Sequence, residues 1–184
     1  SDRMTGKDIE SWLGRGEEIK DRIKSLIIEE LNIMEVTGRN IVVTDVILKY
    51  VMKTLQRDLE LLQKENVEFF EVLGREVRVS GEFEGQKLKG FIDRLDSFHP
   101  GQVRVVDYKT GKVLDDDEKI TDDNAEAIAE DIFAEDIKER PKIALQFFIY
   151  DLLVQDHPLA KGRQIFNCVY STARLFKEPP LNVP

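Results

Sequence analysis

The hydrophobic period changes in the middle of this sequence, and that change restricts the fold more than any other feature. Residues 76–83 alternate polar and apolar side chains, as a half-buried strand does. Residues 84–87 have the composition of a hairpin turn, residues 88–95 form the returning strand, and residues 102–108 form a third strand after the loop at 99–101. The pattern therefore predicts a three-stranded meander.

Helical periodicity predicts the elements on both sides of this meander. Apolar residues recur at helical spacing in four segments, which are residues 5–35, about 44–62, about 121–137 and about 143–155. Thr5 or Asp8 can cap the first helix, Thr44 the second and Thr121–Asp123 the third. A final strand is predicted at residues 164–170, before a Pro-rich tail. This order predicts an α/β fold with a mixed central β-sheet flanked by helices and preceded by a helical region.

The length of 184 residues fits one domain with a substantial core. We expect residues 1–70 to form an N-terminal helical region and residues 71–175 the core, with an acidic insertion at 113–140. The start Ser1–Gly6 is not a recognisable beginning, so we expect a fragment of a longer protein. No apolar run could span a membrane and no signal region is visible, which predicts a cytoplasmic location.

The residue totals limit the chemistry. A single cysteine, Cys168, excludes an internal disulfide and a cysteine-built metal site, and its apolar neighbours predict a buried strand thiol. The net charge of −9 argues against nucleic-acid binding. However, residues 113–140 hold twelve acidic and three basic residues, so this segment accounts for the whole excess. Residues 74–112 hold eight basic and six acidic residues, and the charge argument is therefore weak.

Two acidic motifs occur where predicted strands end. Asp107 and Lys109 are two residues apart on a strand, so their side chains point to the same face. They could form a simple ion pair. If Asp93 of the neighbouring strand reaches that face as well, two carboxylates and one lysine come together. A divalent cation is the usual way to relieve the repulsion between two carboxylates, and such a set suits metal-dependent hydrolysis of a phosphodiester bond.

Three ordered motifs give the sequence a specific resemblance. Residues 90–96 read Gly-Phe-Ile-Asp-Arg-Leu-Asp, residues 107–111 read Asp-Tyr-Lys-Thr-Gly, and residues 146–150 read Gln-Phe-Phe-Ile-Tyr. Together they resemble the PD-(D/E)XK nuclease superfamily, in particular its RecB-like branch. The helical start and residues 38–50 also resemble the C-terminal nuclease domains of AddB- or RecB-type recombination exonucleases.

The resemblance implies a restriction-endonuclease-like core and a role for each matching residue. Asp93 and Asp107 would bind Mg²⁺ or Mn²⁺ together with the Tyr108 carbonyl, and Lys109 would be the catalytic lysine. Gln146 and Tyr150 lie one helical turn apart and would line the site and contact DNA. The implied activity is exonucleolytic cleavage of DNA in a repair and recombination helicase–nuclease. Helicase domains of the same chain or of a partner subunit would then be its partners.

One departure from the family pattern leaves alternatives open. The RecB-like branch carries a histidine on an upstream helix as a further metal ligand, whereas this chain has only His99 and His157, which we expect in exposed loops. Glu76, at the start of the first predicted strand, is a possible substitute or an exposed strand carboxylate. A DNA-binding or scaffolding module without cleavage is therefore the alternative function. A protein-interaction domain based on the acidic segment is a weaker one.

Two further acidic features have structural interpretations. Asp96 alternates to the face opposite Asp93, where it is expected to form an ion pair with Arg94 or Lys89. The acidic run at residues 115–118 is interpreted as a solvated insertion, because four consecutive acids cannot converge on one ion without a defined turn.

Overall fold

The computed structural model describes residues 2–111, 123–134, 141–177 and 180–183. Its contacts divide into two compact units. Residues Met4–Phe69 form one, called the helical unit below, and Ser1–Arg3 with Phe70–Pro184 form the other, called the sheet unit. The elements in chain order are β1 (Asp2–Thr5), α1 (Gly6–Leu13), α2 (Gly16–Leu31), α3 (Arg39–Glu65), β2 (Phe69–Phe83), β3 (Gln86–Ser97), β4 (Gln102–Lys109), α4 (Ala125–Phe133), α5 (Lys142–Val154), β5 (Gln164–Ser171) and β6 (Leu181–Val183).

The helical unit begins with two helices where the periodicity predicts one. The single helix over residues 5–35 is wrong, because α1 is capped at Gly14 and α2 begins at Gly16. Two glycines within three residues disfavour a continuous helix. The predicted cap at Thr5 is confirmed, since its Oγ1 accepts a hydrogen bond from the Asp8 N–H at 3.1 Å. The Asp8 carboxylate in turn accepts from the Thr5 N–H at 2.9 Å, which completes a capping box.

The long helix α3 starts five residues before the predicted cap. Thr44 lies inside the helix, and its hydroxyl donates to the Asn40 carbonyl at 2.8 Å, so it does not cap the helix. The helix ends where Asn66 adopts a left-handed conformation at φ 52°. An ion pair between Lys20 and Asp45, 2.7 Å long, connects α2 to α3.

Among the described residues, six strands form one sheet in the order β1-β2-β3-β4-β5-β6. The β2–β3, β3–β4 and β5–β6 pairs are antiparallel, whereas β4 and β5 are parallel. The predicted α/β class with a mixed sheet is therefore confirmed. β1 and β6 were not predicted, and β2 begins seven residues before the predicted strand. A two-residue turn joins β2 to β3, and Glu84 and Gly85 both have positive φ, 48° and 77°, as tight hairpins require.

Helix α5 covers one face of the sheet. Apolar side chains from the two layers form a continuous core, which includes Leu95, Val105, Phe147, Val154 and Val169. The predicted bounds of this helix, residues 143–155, differ from the observed bounds by one residue at each end. The core holds β3, β4 and β5 against α5, and so fixes the side chains at the ends of these strands relative to the helix.

The acidic segment is described only in part. Helix α4 follows Asn124, and its residues Glu126, Glu130 and Asp131 are exposed. The acidic run at 115–118, the predicted cap residues Thr121 and Asp122, and Ile137 lie outside the described residues. Within the described part of the chain, no helix combines the length and the apolar character that crossing a bilayer requires.

A buried ion cluster occupies the face of β3 and β4 that Asp96 reaches. Asp96 is fully buried and lies 2.8 Å from Arg94 Nε, which confirms the predicted ion pair with Arg94. Arg104, from the neighbouring strand, donates to both oxygens of this carboxylate at 2.8 Å. Its Nη1 also lies 3.8 Å from the sulfur of Cys168, which is buried in β5 as predicted. Asp96 thus has a structural role.

Candidate active site

Asp93 and Asp107 face each other across the end of the β3–β4 ladder. Arg94 pairs with Val106 as the last registered pair, so one more step places Asp93 opposite Asp107. Asp93 Oδ2 accepts a hydrogen bond from the Tyr108 N–H at 2.7 Å, which ties its carboxylate to β4. Asp107 is buried and only 4% exposed. The alternation therefore brings both predicted carboxylates to one place.

A hydrogen-bonded network connects β4 to α5. Lys109 Nζ donates to Gln146 Oε1 at 2.6 Å and lies 2.8 Å from Asp107 Oδ2. The amide nitrogen of Gln146 donates to Asp107 Oδ1 at 2.9 Å and to the Tyr150 hydroxyl at 2.8 Å. Tyr150 then donates to the Phe91 carbonyl of β3 at 2.7 Å. Four of the five predicted side chains are thus in one network, and Asp93 lies beside it.

Burial, more than the neighbouring carboxylates, makes the charged form of Asp93 unfavourable. Burial raises the pKa of Asp93, the Tyr108 N–H opposes this rise, and the negative charges of Asp107 and Glu76 add to it. Burial also raises the pKa of the Tyr150 hydroxyl, so that group stays protonated at neutral pH and remains a donor. Positive charge at this point would stabilise both carboxylates.

The side-chain oxygen atoms of Asp93 and Asp107 also suit a divalent cation. Asp107 Oδ2 is buried and lies 2.8 Å from the Lys109 ammonium, and no second group of the described residues is hydrogen-bonded to it. A carboxylate oxygen with one close partner keeps a lone pair for a cation. Oxygen donors are the ligands that Mg²⁺ and Mn²⁺ prefer. Asp93 and Asp107 are therefore suited to hold such an ion.

Glu76 lies in an unusual backbone conformation near these carboxylates. It falls between the pairs Arg75–Arg94 and Val77–Ile92, and so is opposite Asp93 in the register. It lies in the middle of β2 and not at the start of a strand, and its φ is +49°, which is uncommon for a residue other than glycine. Such outliers occur preferentially at functional sites.

A third protein ligand is not fixed by this geometry. Glu76 is exposed, and no three His, Cys, Asp or Glu side chains of the described residues are grouped closely enough to hold a metal. The roles of Glu76 and of the Tyr108 carbonyl therefore stay predictions. The Tyr108 side chain packs against Tyr170, with 5.4 Å between ring centroids, and is 38% exposed.

The two histidines lie in loops, as predicted, but they are half-buried where exposure was expected. His99 belongs to the turn that joins β3 to β4, at the end of these strands away from Asp93 and Asp107. His157 follows α5, and its Nδ1 accepts a hydrogen bond from the Leu159 N–H at 3.3 Å.

Ser171 is a neighbour of the site that the sequence did not indicate. It pairs with Lys109 across the parallel β4–β5 ladder, one residue beyond the predicted end of the strand. Its hydroxyl is buried and lacks a hydrogen-bond partner among the described residues. Gly90, the first residue of the motif at residues 90–96, is a second neighbour of the site, because a Cβ there would lie 3.0 Å from Cε1 of Tyr150. Only a small residue lets the Tyr150 ring lie against β3.

A model of the PD-(D/E)XK nuclease superfamily matches residues 15–179, which is most of the chain. The chain belongs to the PD-(D/E)XK nuclease superfamily. No curated protein gives a significant match. The matched range contains Asp93, Asp107, Lys109, Gln146 and Tyr150, all of which the PD-(D/E)XK fold brings to one end of β4. Membership indicates a metal-dependent nuclease with DNA as its substrate, and this confirms the broad family prediction.

Proposed function

We propose that this PD-(D/E)XK chain hydrolyses phosphodiester bonds of DNA as an exonuclease. The observation that supports this most directly is the arrangement of Asp107, Lys109 and Gln146. One carboxylate, one ammonium and one amide are held together by contacts of 2.6–2.9 Å at the end of a buried strand. An ordinary surface ion pair has no need of the half-buried amide that connects Lys109 to Asp107.

Each side chain has a defined task in this proposal. Asp93 and Asp107 would hold Mg²⁺ or Mn²⁺ with the Tyr108 carbonyl, and Glu76 would be an additional acidic ligand. When bound, the cation neutralises charge on the scissile phosphate and lowers the pKa of a coordinated water. Asp107 pairs with the Lys109 ammonium, and Gln146 fixes the direction of that ammonium. Lys109 can therefore orient the attacking water or stabilise negative charge on the phosphate.

Gln146 and Tyr150 position the catalytic lysine and meet the substrate. The Gln146 amide is shared among Lys109, Asp107 and Tyr150, so its orientation is determined by three partners. Tyr150 ties this amide to the β3 backbone. A DNA strand that enters the site would contact these two side chains along the exposed edge of α5.

The finer assignment is to the RecB-like branch, in a helicase–nuclease of DNA repair and recombination. It is supported by the three motifs at residues 90–96, 107–111 and 146–150. Helicase domains, in the same chain or in a partner subunit, would supply DNA ends to the nuclease. Exonucleolytic action follows from that arrangement.

Metal binding is the first experiment. Isothermal titration with Mn²⁺ should give a binding isotherm for the wild type that is lost in Asp107→Asn, which keeps the shape of the side chain and removes its charge. Asp156→Asn is the matched control, because Asp156 is exposed and follows α5 outside the site. If the wild type binds no Mn²⁺, the metal-dependent mechanism is wrong.

Cleavage is the second experiment. With Mn²⁺, end-labelled linear DNA should be degraded, closed circular DNA should remain intact, and Lys109→Ala should abolish degradation. Cutting of the circular substrate would contradict exonuclease action. A non-catalytic scaffold is the second candidate, because Lys109 already neutralises Asp107 in this structure. The scaffold predicts DNA binding without cleavage by the wild type.

A further inference from the structure

The β2–β3 hairpin extends beyond the rest of the sheet. β3 pairs with β4 only at Arg94, Leu95 and Asp96, so residues 86–92 have no β4 partner. Opposite them, residues 77–83 of β2 continue the antiparallel ladder as far as Phe83, which pairs with Gln86. This part of the hairpin is therefore a two-stranded ribbon with two distinct faces.

The inner face of the ribbon packs against α5. A Cβ at Gly81 would lie 2.9 Å from Leu153, and one at Gly90 would lie 3.0 Å from Tyr150. Val79 and Ile92 share this face and are 1% and 0% exposed. The close approach of the helix to two glycines fixes the position of the ribbon, because no flexible side chains separate them.

The outer face carries three exposed cross-strand pairs. They are Arg78 with Phe91, Ser80 with Lys89, and Glu82 with Lys87. Three cations and one acid lie on this face, and the acid is at the end far from the site. None of the three cations forms an ion pair with a carboxylate of the described residues. In a chain of net charge −9, a free cationic surface of this kind is unusual.

Phe91 is the exposed aromatic residue of this face. Its side chain is 56% exposed, although burial of an aromatic ring is strongly favourable. Arg78 lies opposite it, and Lys89 is the next residue of β3 on the same face. The Phe91 carbonyl accepts the hydrogen bond from Tyr150, so the backbone that carries this ring belongs to the catalytic network.

The outer face lies close to the two carboxylates along β3. Phe91 is two residues before Asp93, a step of about 7 Å along a strand. Ile92 and Leu95 both belong to the core against α5, so the alternation is interrupted between them, and Asp93 lies on the same side as Asp107. The cations and the exposed ring of the outer face therefore end one step from Asp93.

We propose that the outer face of this hairpin, formed by Arg78, Lys89 and Phe91, binds single-stranded DNA and guides it to Asp93 and Asp107. The Phe91 ring stacks on an unpaired base, and Arg78 and Lys89 contact the flanking phosphates. A basic surface with an aromatic platform is the chemistry that single strands require, since every base has a face to stack but a duplex hides it. The cleavage at the end of this path rests on the proposed function, whereas the binding does not.

Binding is measured by fluorescence anisotropy with fluorescein-labelled dT20 in EDTA, where no metal-dependent cleavage occurs. Phe91→Leu, which keeps apolar area but removes the aromatic face, should weaken binding about tenfold. Phe91→Tyr should restore it. The double variant Arg78→Gln/Lys89→Gln should reduce the slope of log K against log salt by about 1.4, because each phosphate contact on a single strand contributes about 0.7. Phe91→Leu should leave that slope unchanged.

Two matched controls test whether binding depends on the outer face itself. One changes an aromatic ring on the other face of the hairpin, and the other removes an exposed cation elsewhere in the chain. Phe83→Leu alters a ring of similar exposure, 43%, which alternates to the inner face of the same hairpin. Lys161→Gln removes an exposed cation before β5, at the other end of the sheet from the site. Both should bind dT20 as the wild type does. All these positions are exposed, and an unchanged circular dichroism melting curve verifies that each variant folds.

The outcomes separate the hairpin surface from the nuclease activity. If the Arg78, Lys89 and Phe91 variants bind dT20 like the wild type, or if a 20-base-pair duplex binds more tightly than dT20, the surface is refuted, while cleavage in Mn²⁺ would still support the nuclease. If the wild type binds dT20 through this face but cleaves nothing in Mn²⁺, the surface is supported and the catalytic function fails.

Discussion

Asp151 allows a quantitative test of how burial governs the stability of the sheet unit. It lies on α5 beside a cavity of about 240 Å³ that is also lined by Phe148, Leu152, Gln155 and Ile165. Burial raises the pKa of Asp151 from 3.8 to about 6, and a hydrogen bond from Asn167 at 3.0 Å opposes only part of this rise. The second oxygen, Oδ1, is buried without a hydrogen-bond partner in the described structure.

The sign of the effect follows from proton binding. Between pH 3.8 and about 6 the folded chain binds more protons at Asp151 than the unfolded chain does. The free energy of unfolding therefore falls as the pH rises through this window. A shift of about two units corresponds to about 3 kcal/mol, and partial exposure to solvent reduces the expected value to about 1–3 kcal/mol.

Asp151→Asn should remove this penalty. The amide still accepts the hydrogen bond from Asn167, and it removes the buried negative charge. The variant should be more stable than the wild type by about 1–3 kcal/mol at pH 8 and nearly equal to it at pH 4. Asp156→Asn, the exposed control, should show no such pH-dependent difference.

Urea denaturation followed by circular dichroism at pH 4, 5, 6, 7 and 8 measures this difference. Tryptophan fluorescence is unsuitable, since the single tryptophan is Trp12 in the helical unit. A difference between Asp151→Asn and wild type that stays constant from pH 4 to pH 8 would refute the argument from burial.

Three further substitutions test other parts of the sheet unit. Gly90→Ala should displace the Tyr150 ring, lower the free energy of unfolding by about 1–3 kcal/mol in thermal unfolding, and slow cleavage. Unchanged stability and cleavage rate would show that the space between Gly90 and Tyr150 is not limiting. Asp96→Ala should destabilise the fold by about 3–5 kcal/mol in urea denaturation, because two buried arginines lose their shared carboxylate, and a loss below 1 kcal/mol would contradict this. Gln146→Ala should reduce cleavage at least tenfold with little change in the melting temperature, since it removes one of the two contacts that orient the Lys109 ammonium. Retention of full activity would remove Gln146 from the site.

Local periodicity predicts the positions of the site residues well. Two-residue alternation placed Asp107 and Lys109 on one face, and a separation of four residues placed Gln146 and Tyr150 on one side of a helix. These relations depend on neighbouring residues of the same element. The observed network then arises because α5 packs over the end of β4.

Contacts between residues far apart in the sequence cannot be predicted from local periodicity. The parallel pairing of β5 with β4, which brings Ser171 next to Lys109, joins segments about 60 residues apart. Arg104 as a partner of Asp96 requires the β3–β4 register to be known. The left-handed backbone at Glu76 has no local signature, because glutamate does not favour it. Gly14 and Gly16 disfavour a continuous helix. However, the apolar residues on both sides of them keep a regular helical spacing, and that spacing predicts one helix.

The buried pairing of Asp96 with Arg104 helps to fix the register that places Asp93 opposite Asp107. These residues are directly opposite each other, three positions along the ladder from Asp93 and Asp107. A slip of one residue between β3 and β4 would turn every side chain to the wrong face and leave buried charges without their partners. Such a misaligned chain would be too unstable to persist. The ion pair of Asp96 with Arg104 thus disfavours a shifted β3–β4 register and keeps Asp93 opposite Asp107.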